Sequence, residues 1–338
     1  MSGRPRIKDI AESLGVSPAT VSRALSDSGL VAEPTLSRVR EAARAMNYRP
    51  NVSARNLRTR KAMAVLMVVR DIGNPFYLDV MKGVEAAARA AGYAVLMGNT
   101  ENDPGRETEY FDMLRDGHAD GMILITGKLP SREDDLYELP ENLPVVVALE
   151  TIPGSHFPHV QIDNEAAARE AVQHLIALGH RRIAHVAGPL PEVMATHRLN
   201  GYRNAMGAAG LPIPEGYEQR GDYLLHTGQK LCRALFELPV PPTAIFVAND
   251  EMAFGAIHEL RRMGHSVPEE ISVIGFDDLY LSEAFFPPLT TVSQPRAEIG
   301  RQAMMILLSM ISGKDGPSGP LVMPTTLKIR GTTAPPPV

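Results

Sequence analysis

Hydrophobic residues follow two different patterns along the chain, one before residue 49 and another from residue 62 onward. From residue 62, nearly continuous apolar runs alternate with longer segments of helical spacing, such as 164–178 and 250–263. Runs of this kind are typical of parallel strands that are buried on both faces of a sheet. The runs cover residues 62–69, 93–99, 121–126, 144–149, 182–188, 244–250 and 271–278. The pattern predicts an α/β core with two doubly wound parallel-sheet lobes.

The first 25 residues have helical spacing, with two short amphipathic segments on either side of Gly15. Glycine at this position allows the positive backbone angle that a tight turn needs. Ser17 followed by Pro18 is typical of a helix N-cap and of the first helical position. A third helix is predicted over residues 33–48, where apolar side chains again recur at helical spacing. The pattern predicts an α-helical head with a helix-turn-helix, whose second helix lies in the major groove of DNA.

The second helix of this head carries small and polar side chains that suit DNA contacts. Arg23 can donate two hydrogen bonds to a guanine, and the methyl group of Ala19 can contact a thymine. Hydroxyl groups and the helix N-terminus suit phosphate oxygens. The alternative is a plain helical hairpin with a surface arginine. The predicted DNA-contacting residues of this helix are Ser17, Pro18, Ala19, Thr20, Ser22 and Arg23.

Charge is distributed unevenly between the two parts of the chain. Residues 1–61 carry 12 lysines and arginines against 5 acidic residues, a net charge of +7. The remaining residues carry 22 against 34, a net charge of -12. A basic module joined to an acidic body favours a phosphate-bearing partner for the basic part.

The stretch "RPNVSARNLRTR", residues 49–60, joins the two parts and contains four arginines and no carboxylate. Pro50 ends the preceding helix and Asn51 can cap a short new one. Arg55 and Arg58 would follow DNA phosphates, while Leu57 would insert between bases in the minor groove. The alternative is a basic linker with Leu57 packed on the core.

Polar and aromatic side chains collect where the predicted strands end. In open α/β sheets, ligands bind beyond the carboxyl ends of the strands. Aromatic rings together with carboxylate, amide and guanidinium groups therefore predict a cleft for a polar small molecule. The candidates are Asn74, Phe76, Tyr77, Thr126, Arg198, Tyr223, Asn249 and Asp277.

Several of these residues also have a purely structural interpretation. Asn249 and Asp250 can cap the helix that follows them, and for Asp250 we expect the cap. Asp277 and Asp278 are adjacent in a predicted strand, so at most one of them can face the cleft.

Composition and motifs exclude other classes of protein. The single Cys232 rules out an intramolecular disulfide and multi-cysteine zinc sites. The sequence has no nucleophile elbow, Walker loop, His-Glu-x-x-His motif or Gly-x-Gly-x-x-Gly after a strand. We expect no signal peptide, because the first residues are polar and basic with no apolar stretch after them, and no apolar run is near the roughly 20 residues that span a bilayer. We expect a cytoplasmic protein that is not an enzyme and needs no metal or cofactor.

The segments "DIAESLGVSPATVSRAL" and "YRPNVSARNLR" resemble the DNA-binding head and hinge helix of the LacI/GalR family. The resemblance implies that Leu57 intercalates, that paired hinge helices touch at Ala54, and that Pro18, Ala19 and Arg23 read bases. The segments "NPFY", "LGHRRIAHVAG", "ANDEMAFGA" and "VPEEISVIGFDD" resemble the effector-binding core of that family, which is similar to periplasmic sugar-binding proteins. This resemblance of the core implies that the effector is contacted by Phe76, Tyr77, Arg198, Tyr223, Asn249, Asp277 and Gln294.

The resemblance further implies a repressor that binds a pseudo-palindromic operator as a homodimer and is released by an effector. The segments "VAGPLPEV", "RGDYL" and "SQPRAEIGRQAM" are most similar to a nucleoside-responsive member, which implies a nucleoside effector. Leu149, Glu192 and Met194 depart from several members and leave a sugar as the alternative. A solute-binding protein without DNA binding is the alternative from another class.

The domain boundaries that follow are a head over residues 1–49, a hinge and linker over 50–61, and a core over 62–331. Within the core, the first lobe is predicted to combine 62–161 with 292–324, and the second 162–291 with 325–331. Because of its prolines, we expect 332–338 to be a disordered tail.

Overall fold

The computed structural model describes residues 5–25, 29–48, 61–127, 129, 143–152, 154–314, 316–317 and 319–337. The chain divides into two units, Met1–Ala62 and Met63–Val338. No helix in the described ranges is long and apolar enough to cross a membrane. Residues 49–60 lie outside the described residues, so the hinge helix and the roles of Asn51, Ala54, Arg55, Leu57 and Arg58 stay predictions.

The head consists of three helices around a small apolar core. They are α1 (Ile7–Leu14), α2 (Pro18–Leu25) and α3 (Glu33–Ala45). Gly15 ends α1 with φ 67°, and the Ser17 hydroxyl accepts a hydrogen bond from the Thr20 amide at 3.1 Å. The predicted turn and N-cap are therefore confirmed. The third helix ends earlier than predicted, because the chain turns at Asn47 with φ 50°.

The core contains two six-stranded sheets, with the strand orders β11-β5-β4-β3-β1-β2 and β12-β10-β9-β8-β6-β7. All neighbours are parallel except β10 and β12. The first sheet contains β1 (Ala64–Val69), β2 (Ala94–Asn99), β3 (Met122–Ile125), β4 (Val145–Ala148), β5 (His159–Ile162) and β11 (Leu321–Met323). The second contains β6 (Ile183–Ala187), β7 (Glu218–Arg220), β8 (Ala244–Val247), β9 (Ser272–Asp277), β10 (Thr290–Ser293) and β12 (Thr326–Lys328). Two parallel-sheet lobes are thus confirmed.

Helices alternate with these strands, as parallel pairing requires. They are α4 (Phe76–Ala90), α5 (Pro104–Arg115), α6 (Asn164–Ala177), α7 (Val193–Ala208), α8 (Leu225–Phe236), α9 (Asp250–Arg262), α10 (Leu281–Ala284) and α11 (Arg296–Ile311). Three pairs of these helices pack closely together: α4 with α11, α6 with α7, and α8 with α9.

The chain passes between the sheets after β5, after β10 and between β11 and β12. Two predicted lobe boundaries are therefore displaced. Ile162 belongs to the first sheet, where β5 pairs with β4 and β11. The stretch Thr290–Ser293 belongs to the second sheet, because all four of its residues pair with β9.

The prediction of a disordered tail over 332–338 is wrong for its first residues. Thr332 is fully buried, and its hydroxyl donates to the Val273 carbonyl at 2.7 Å and accepts from the Thr290 amide at 2.8 Å. The Ala334 amide donates to the Ser272 hydroxyl at 3.0 Å, and its carbonyl lies 2.9 Å from the His180 ring. These hydrogen bonds hold the segment against the second sheet despite its prolines.

Helices α4 and α11 approach each other through glycines. A Cβ atom added to Gly83 would lie 1.9 Å from the Ala297 carbonyl oxygen. One added to Gly300 would lie 2.1 Å from the Val80 carbonyl oxygen. Because both obstacles are backbone atoms, a larger residue would force the helices apart.

We expect Gly300→Ala to destabilise the core by roughly 1–3 kcal/mol, as overpacking of a close contact does. Gly207→Ala is the matched control, since Gly207 lies in α7 and a Cβ added there would meet nothing within 4 Å. It should stabilise the protein by up to about 1 kcal/mol, because alanine favours the helix. Urea unfolding followed by circular dichroism measures both, and a neutral Gly300→Ala would contradict the close contact.

Candidate effector cavity and DNA-binding head

A cavity of ≈ 550 Å³ lies where strand ends of both sheets of the core meet. Seven of the predicted cleft residues line it: Asn74, Phe76, Tyr77, Arg198, Tyr223, Asn249 and Asp277. Two do not. Gln294 instead donates a hydrogen bond from Nε2 to Oδ1 of Asp277 at 2.7 Å, and Thr126 is buried outside the lining.

Aromatic side chains form part of the cavity wall. The rings of Phe76 and Tyr77, at the start of α4, meet edge to face with centroids 5.4 Å apart. Tyr223 has φ 71° and lies against Gly188, where an added Cβ would come within 2.3 Å of the Tyr223 ring. Its hydroxyl is buried without a partner among the described residues, and burial raises the Tyr223 pKa to about 12. A bound ligand can supply the missing hydrogen bond.

Arg198 is a buried cation in the cavity wall. Its Nε donates to Oδ1 of Asn164 at 2.9 Å and its Nη1 donates to the Ala248 carbonyl at 2.5 Å. Its guanidinium carbon lies 3.7 Å from the centroid of the Phe276 ring, a cation–π contact. These partners fix the guanidinium in one orientation.

Asp277 lies at the end of β9, with Oδ1 3.9 Å from Nη1 of Arg198. Burial raises the pKa of Asp277 to about 7, although the charge of Arg198 opposes this shift. The neighbouring Asp278 bonds to Arg330 at 2.7 Å and does not line the cavity. The prediction that only one of the two aspartates faces the cleft is confirmed.

Asn249 is both the N-cap of α9 and a cavity residue. Its Oδ1 accepts from the Met252 amide at 3.1 Å, and its Nδ2 donates to the Tyr223 carbonyl at 2.9 Å. The expectation that Asp250 caps this helix is wrong. The fully buried Asp250 carboxylate accepts from the Leu279 amide at 2.8 Å and from two hydroxyls, those of Ser282 and Thr291, at 2.6 Å each.

The sequence analysis missed an ion-pair network that also lines the cavity. Arg70, just after β1, donates from Nη2 to Oε1 of Glu150 at 2.6 Å, and from Nη1 to Glu192. Burial raises the pKa of the Glu150 carboxyl. Burial alone would lower the pKa of Arg70, but the negative charges of Glu150 and Glu192 outweigh it, so the Arg70 pKa is raised. Arg70 and Glu150 both follow strands, so the strand-end rule could have found them. Glu192 lies in the second lobe, so this network spans the cleft.

The described lining of the cavity is acidic. It contains two guanidinium groups, Arg70 and Arg198, against six carboxyl groups. The latter belong to Asp71, Glu101, Glu150, Glu192, Asp222 and Asp277. Within the described residues, no group of three or more His, Cys, Asp or Glu side chains is placed to hold a metal ion.

In the head, Pro18, Ala19 and Arg23 are exposed on α2, Ser17 is exposed just before it, and Thr20 and Ser22 are partly buried. Val21 and Ala24 of the same helix are buried in the head core. The predicted contact residues therefore lie away from the apolar face of the helix, as a helix that enters a groove requires.

Comparisons with known proteins agree with this arrangement. Residues 6–51 match the family model "Bacterial regulatory proteins, lacI family", and residues 172–333 match a "Periplasmic binding protein-like domain". The HTH-type transcriptional repressor CytR of Escherichia coli (strain K12) is 40% identical over 328 residues, 97% of this chain and 96% of that protein. Catabolite control protein A of Priestia megaterium is 35% identical over 97% of this chain and 98% of its own length.

Two solved structures cover nearly the whole chain. The lac repressor dimer bound to operator and the anti-inducer ONPF has a TM-score of 0.85 at 26% identity, with 98% of this chain and 100% of that chain covered. The complex of the transcriptional regulator CelR with cellobiose has a TM-score of 0.71 at 32% identity, with 97% and 100% covered.

CytR and the lac repressor are transcriptional repressors rather than enzymes, and they match this chain through both the head and the core. The protein is accordingly a DNA-binding repressor with an effector-binding domain, and it belongs to the lacI family of bacterial regulatory proteins.

Proposed function

We propose that this repressor binds a pseudo-palindromic operator as a homodimer and is released from it by a nucleoside that occupies the cavity. The observation that carries the nucleoside assignment is the combination of aromatic rings with buried hydrogen-bonding groups in one cavity. The 40% identity to CytR, over nearly the whole of both chains, supports a similar repressor.

The two parts of a nucleoside match two parts of the cavity wall. Its base can stack on the rings of Phe76 or Tyr77. Its ribose hydroxyls can donate to the Asp277 carboxylate and accept from the Arg198 guanidinium. The Tyr223 hydroxyl, which has no partner among the described residues, can bond to either part.

A sugar is the second candidate, because aromatic rings beside carboxylates also suit sugar rings. The ribose operon repressor of Escherichia coli is 35% identical over 90% of this chain, and the solved CelR complex contains cellobiose. A ribose moiety is common to ribose and to nucleosides, so the Asp277 and Arg198 side would serve both. The aromatic wall favours the ligand that also carries a base.

The homodimer would form through the first lobe of the core. Strand β2 is an edge of the first sheet, and its Leu96 and Met97 are exposed. Leu78 on α4 and Met305 on α11 are exposed apolar residues on the same lobe. Exposed apolar residues that gather at a sheet edge are typical of a protein interface. The lac repressor similar to this chain is a dimer in its operator complex.

Operator contacts would come from α2 and from the hinge. In the proposed complex, Arg23 and Ala19 contact bases in the major groove, and Ser17, Thr20 and Ser22 contact phosphates. Leu57 would insert into the minor groove beside Arg55 and Arg58. Closure of the lobes around the effector would change the spacing of the two heads and so lower operator affinity.

We expect nucleosides to raise the melting midpoint of the purified protein, since a ligand that binds only the native state stabilises it by mass action. A concentration about 100-fold above Kd contributes about 2.7 kcal/mol. The panel comprises nucleosides, free bases and sugars. Asp277→Asn should reduce the shift, whereas Asp278→Asn, next to it but outside the cavity, should not. A shift with sugars alone would overturn the nucleoside assignment and retain the repressor.

Nucleoside affinity should fall as the pH is lowered through the raised pKa of Asp277, about 7. The ribose hydroxyls bind the ionised carboxylate, so protonation below this pKa competes with binding, by up to about tenfold for each pH unit. Titration calorimetry between about pH 8 and pH 6 measures this pH dependence of the affinity. Among side chains with ordinary pKa values, only histidine titrates in that range. Asp277→Asn should abolish the slope, and an affinity that rises on acidification would mean that the neutral carboxyl is the binding form.

We expect Arg23→Ala to relax base preference at one symmetric position of the operator, with a cost of roughly 1–3 kcal/mol. Binding to a library of operator variants measures this preference. Arg44→Ala, which removes the same charge from the exposed side of α3, should lower affinity evenly across sequences or leave it unchanged. An even loss for Arg23→Ala would make Arg23 a phosphate contact.

A further inference from the structure

We propose that the cavity selects unphosphorylated ligands by charge, and that Glu192 is a main determinant of this selection. The inference rests on the proposed function and deepens it, because nucleosides and sugars both occur with and without a phosphate. It concerns the charge around the cavity and not the base or sugar that is recognised.

The first observation is that the cationic groups of the cavity are already paired with carboxylates. Arg70 is held by the carboxylates of Glu150 and Glu192. Arg198 donates to Asn164 and to the Ala248 carbonyl and lies against the Phe276 ring. A phosphate beside Arg70 would lie beside Glu150 and Glu192, and one beside Arg198 would lie near Asp277, whose Oδ1 is 3.9 Å from Nη1, so carboxylates would oppose its charge at either position.

The second observation is the position of Glu192 at a helix start. The N-terminus of a helix attracts phosphate, because its amide groups are unpaired and its dipole is positive there. Helix α7 begins at Val193 beside the cavity, and Glu192 is its N-cap residue. The Glu192 carboxylate bonds to Arg70 rather than to the amides of this helix end, and its negative charge on the cavity wall opposes a phosphate there.

The third observation is that the entrance to the cavity is acidic. Asp71, Glu101 and Asp222 are exposed residues of the lining. Glu101 is paired with Arg106 at 2.9 Å, and Glu150 and Glu192 share Arg70, but the six carboxyl groups of the lining outnumber its two guanidinium groups. An excess of one sign of charge in a cleft acts on an approaching ligand. An anionic ligand is repelled during approach as well as in its bound position.

Repulsion between like charges at close range should weaken a phosphorylated ligand by about a hundredfold or more relative to its parent. Titration calorimetry with a nucleoside and its 5′-monophosphate measures this ratio in the full-length protein. A sugar and its phosphate provide a second pair of ligands with the same difference in charge. Raising the salt concentration should lower the ratio between the affinity for the unphosphorylated ligand and that for its phosphate, because ions screen the exposed carboxylates.

Glu192→Gln tests the residue assignment, since glutamine keeps an oxygen that can accept from Arg70 but removes the charge. We expect the ratio between the nucleoside and its monophosphate to fall by roughly tenfold. Glu215→Gln makes the same change at an exposed position outside the cavity lining and should leave the ratio unaltered. Should Glu192→Gln fail to fold, Glu101→Gln at the cavity entrance should lower the ratio by a smaller factor.

The outcomes separate this inference from the proposed function. If neither nucleosides nor sugars bind, the proposed function is wrong. If a nucleoside binds and its monophosphate binds equally well or better, the charge selection is wrong while the nucleoside assignment stands. If the ratio is large but unchanged in both Glu192→Gln and Glu101→Gln, the acidic lining does not set it, and the inference is overturned.

Discussion

Burial of opposite charges in one wall is the constraint on which the effector cavity depends. Arg198 and Asp277 are both nearly inaccessible to water, yet their charged atoms are 3.9 Å apart, too far for a direct hydrogen bond. Each must be compensated by other groups, because an uncompensated buried charge costs several kcal/mol. Arg198 finds partners on α6 and at the end of β8, and Asp277 finds Gln294 in the segment that leads back to the first lobe. The partners of these two charges thus hold α6, the end of β8 and the segment of Gln294 in place around the cavity.

Asp250, which is fully buried behind the cavity wall, also needs partners that compensate its charge. Burial raises the pKa of Asp250 to about 6, and three hydrogen bonds from Leu279, Ser282 and Thr291 oppose the shift by stabilising the ionised form. These bonds tie the start of α9 to β10, to the loop that follows β9 and to the short helix α10. The carboxylate also fills the space above Gly275, where an added Cβ would lie 2.2 Å from its Oδ1. A glycine in the middle of β9 therefore allows the contact that positions the end of that strand, where Asp277 lies.

The sequence predicted β1 to β4, β6, β8 and β9 and much of the cavity, for the same physical reason, but it missed the interior strands β5 and β10. A central parallel strand is apolar on both faces, so the runs at 62–69 and 271–278 stand out, and the residues after them identify the ligand edge. The edge strand β7, Glu218–Arg220, has no such signal because one of its sides faces water. Arg70 and Glu150 were missed because a single charged residue after a strand resembles an ordinary surface residue until its partner across the fold is known.

The connection between the cavity and the first lobe follows from helix packing. Phe76 lines the cavity and begins α4, and the buried guanidinium of Arg296 lies 5.7 Å from its ring. Arg296 also bonds to Asp79 of α4 at 3.0 Å and to the Asp278 carbonyl at 2.8 Å, so it joins both lobes next to Phe76. Helices α4 and α11 pack backbone against backbone where Gly83 and Gly300 lie at their crossing. Phe76 therefore belongs to a closely packed helix pair that also carries the exposed apolar side chains of Leu78 and Met305.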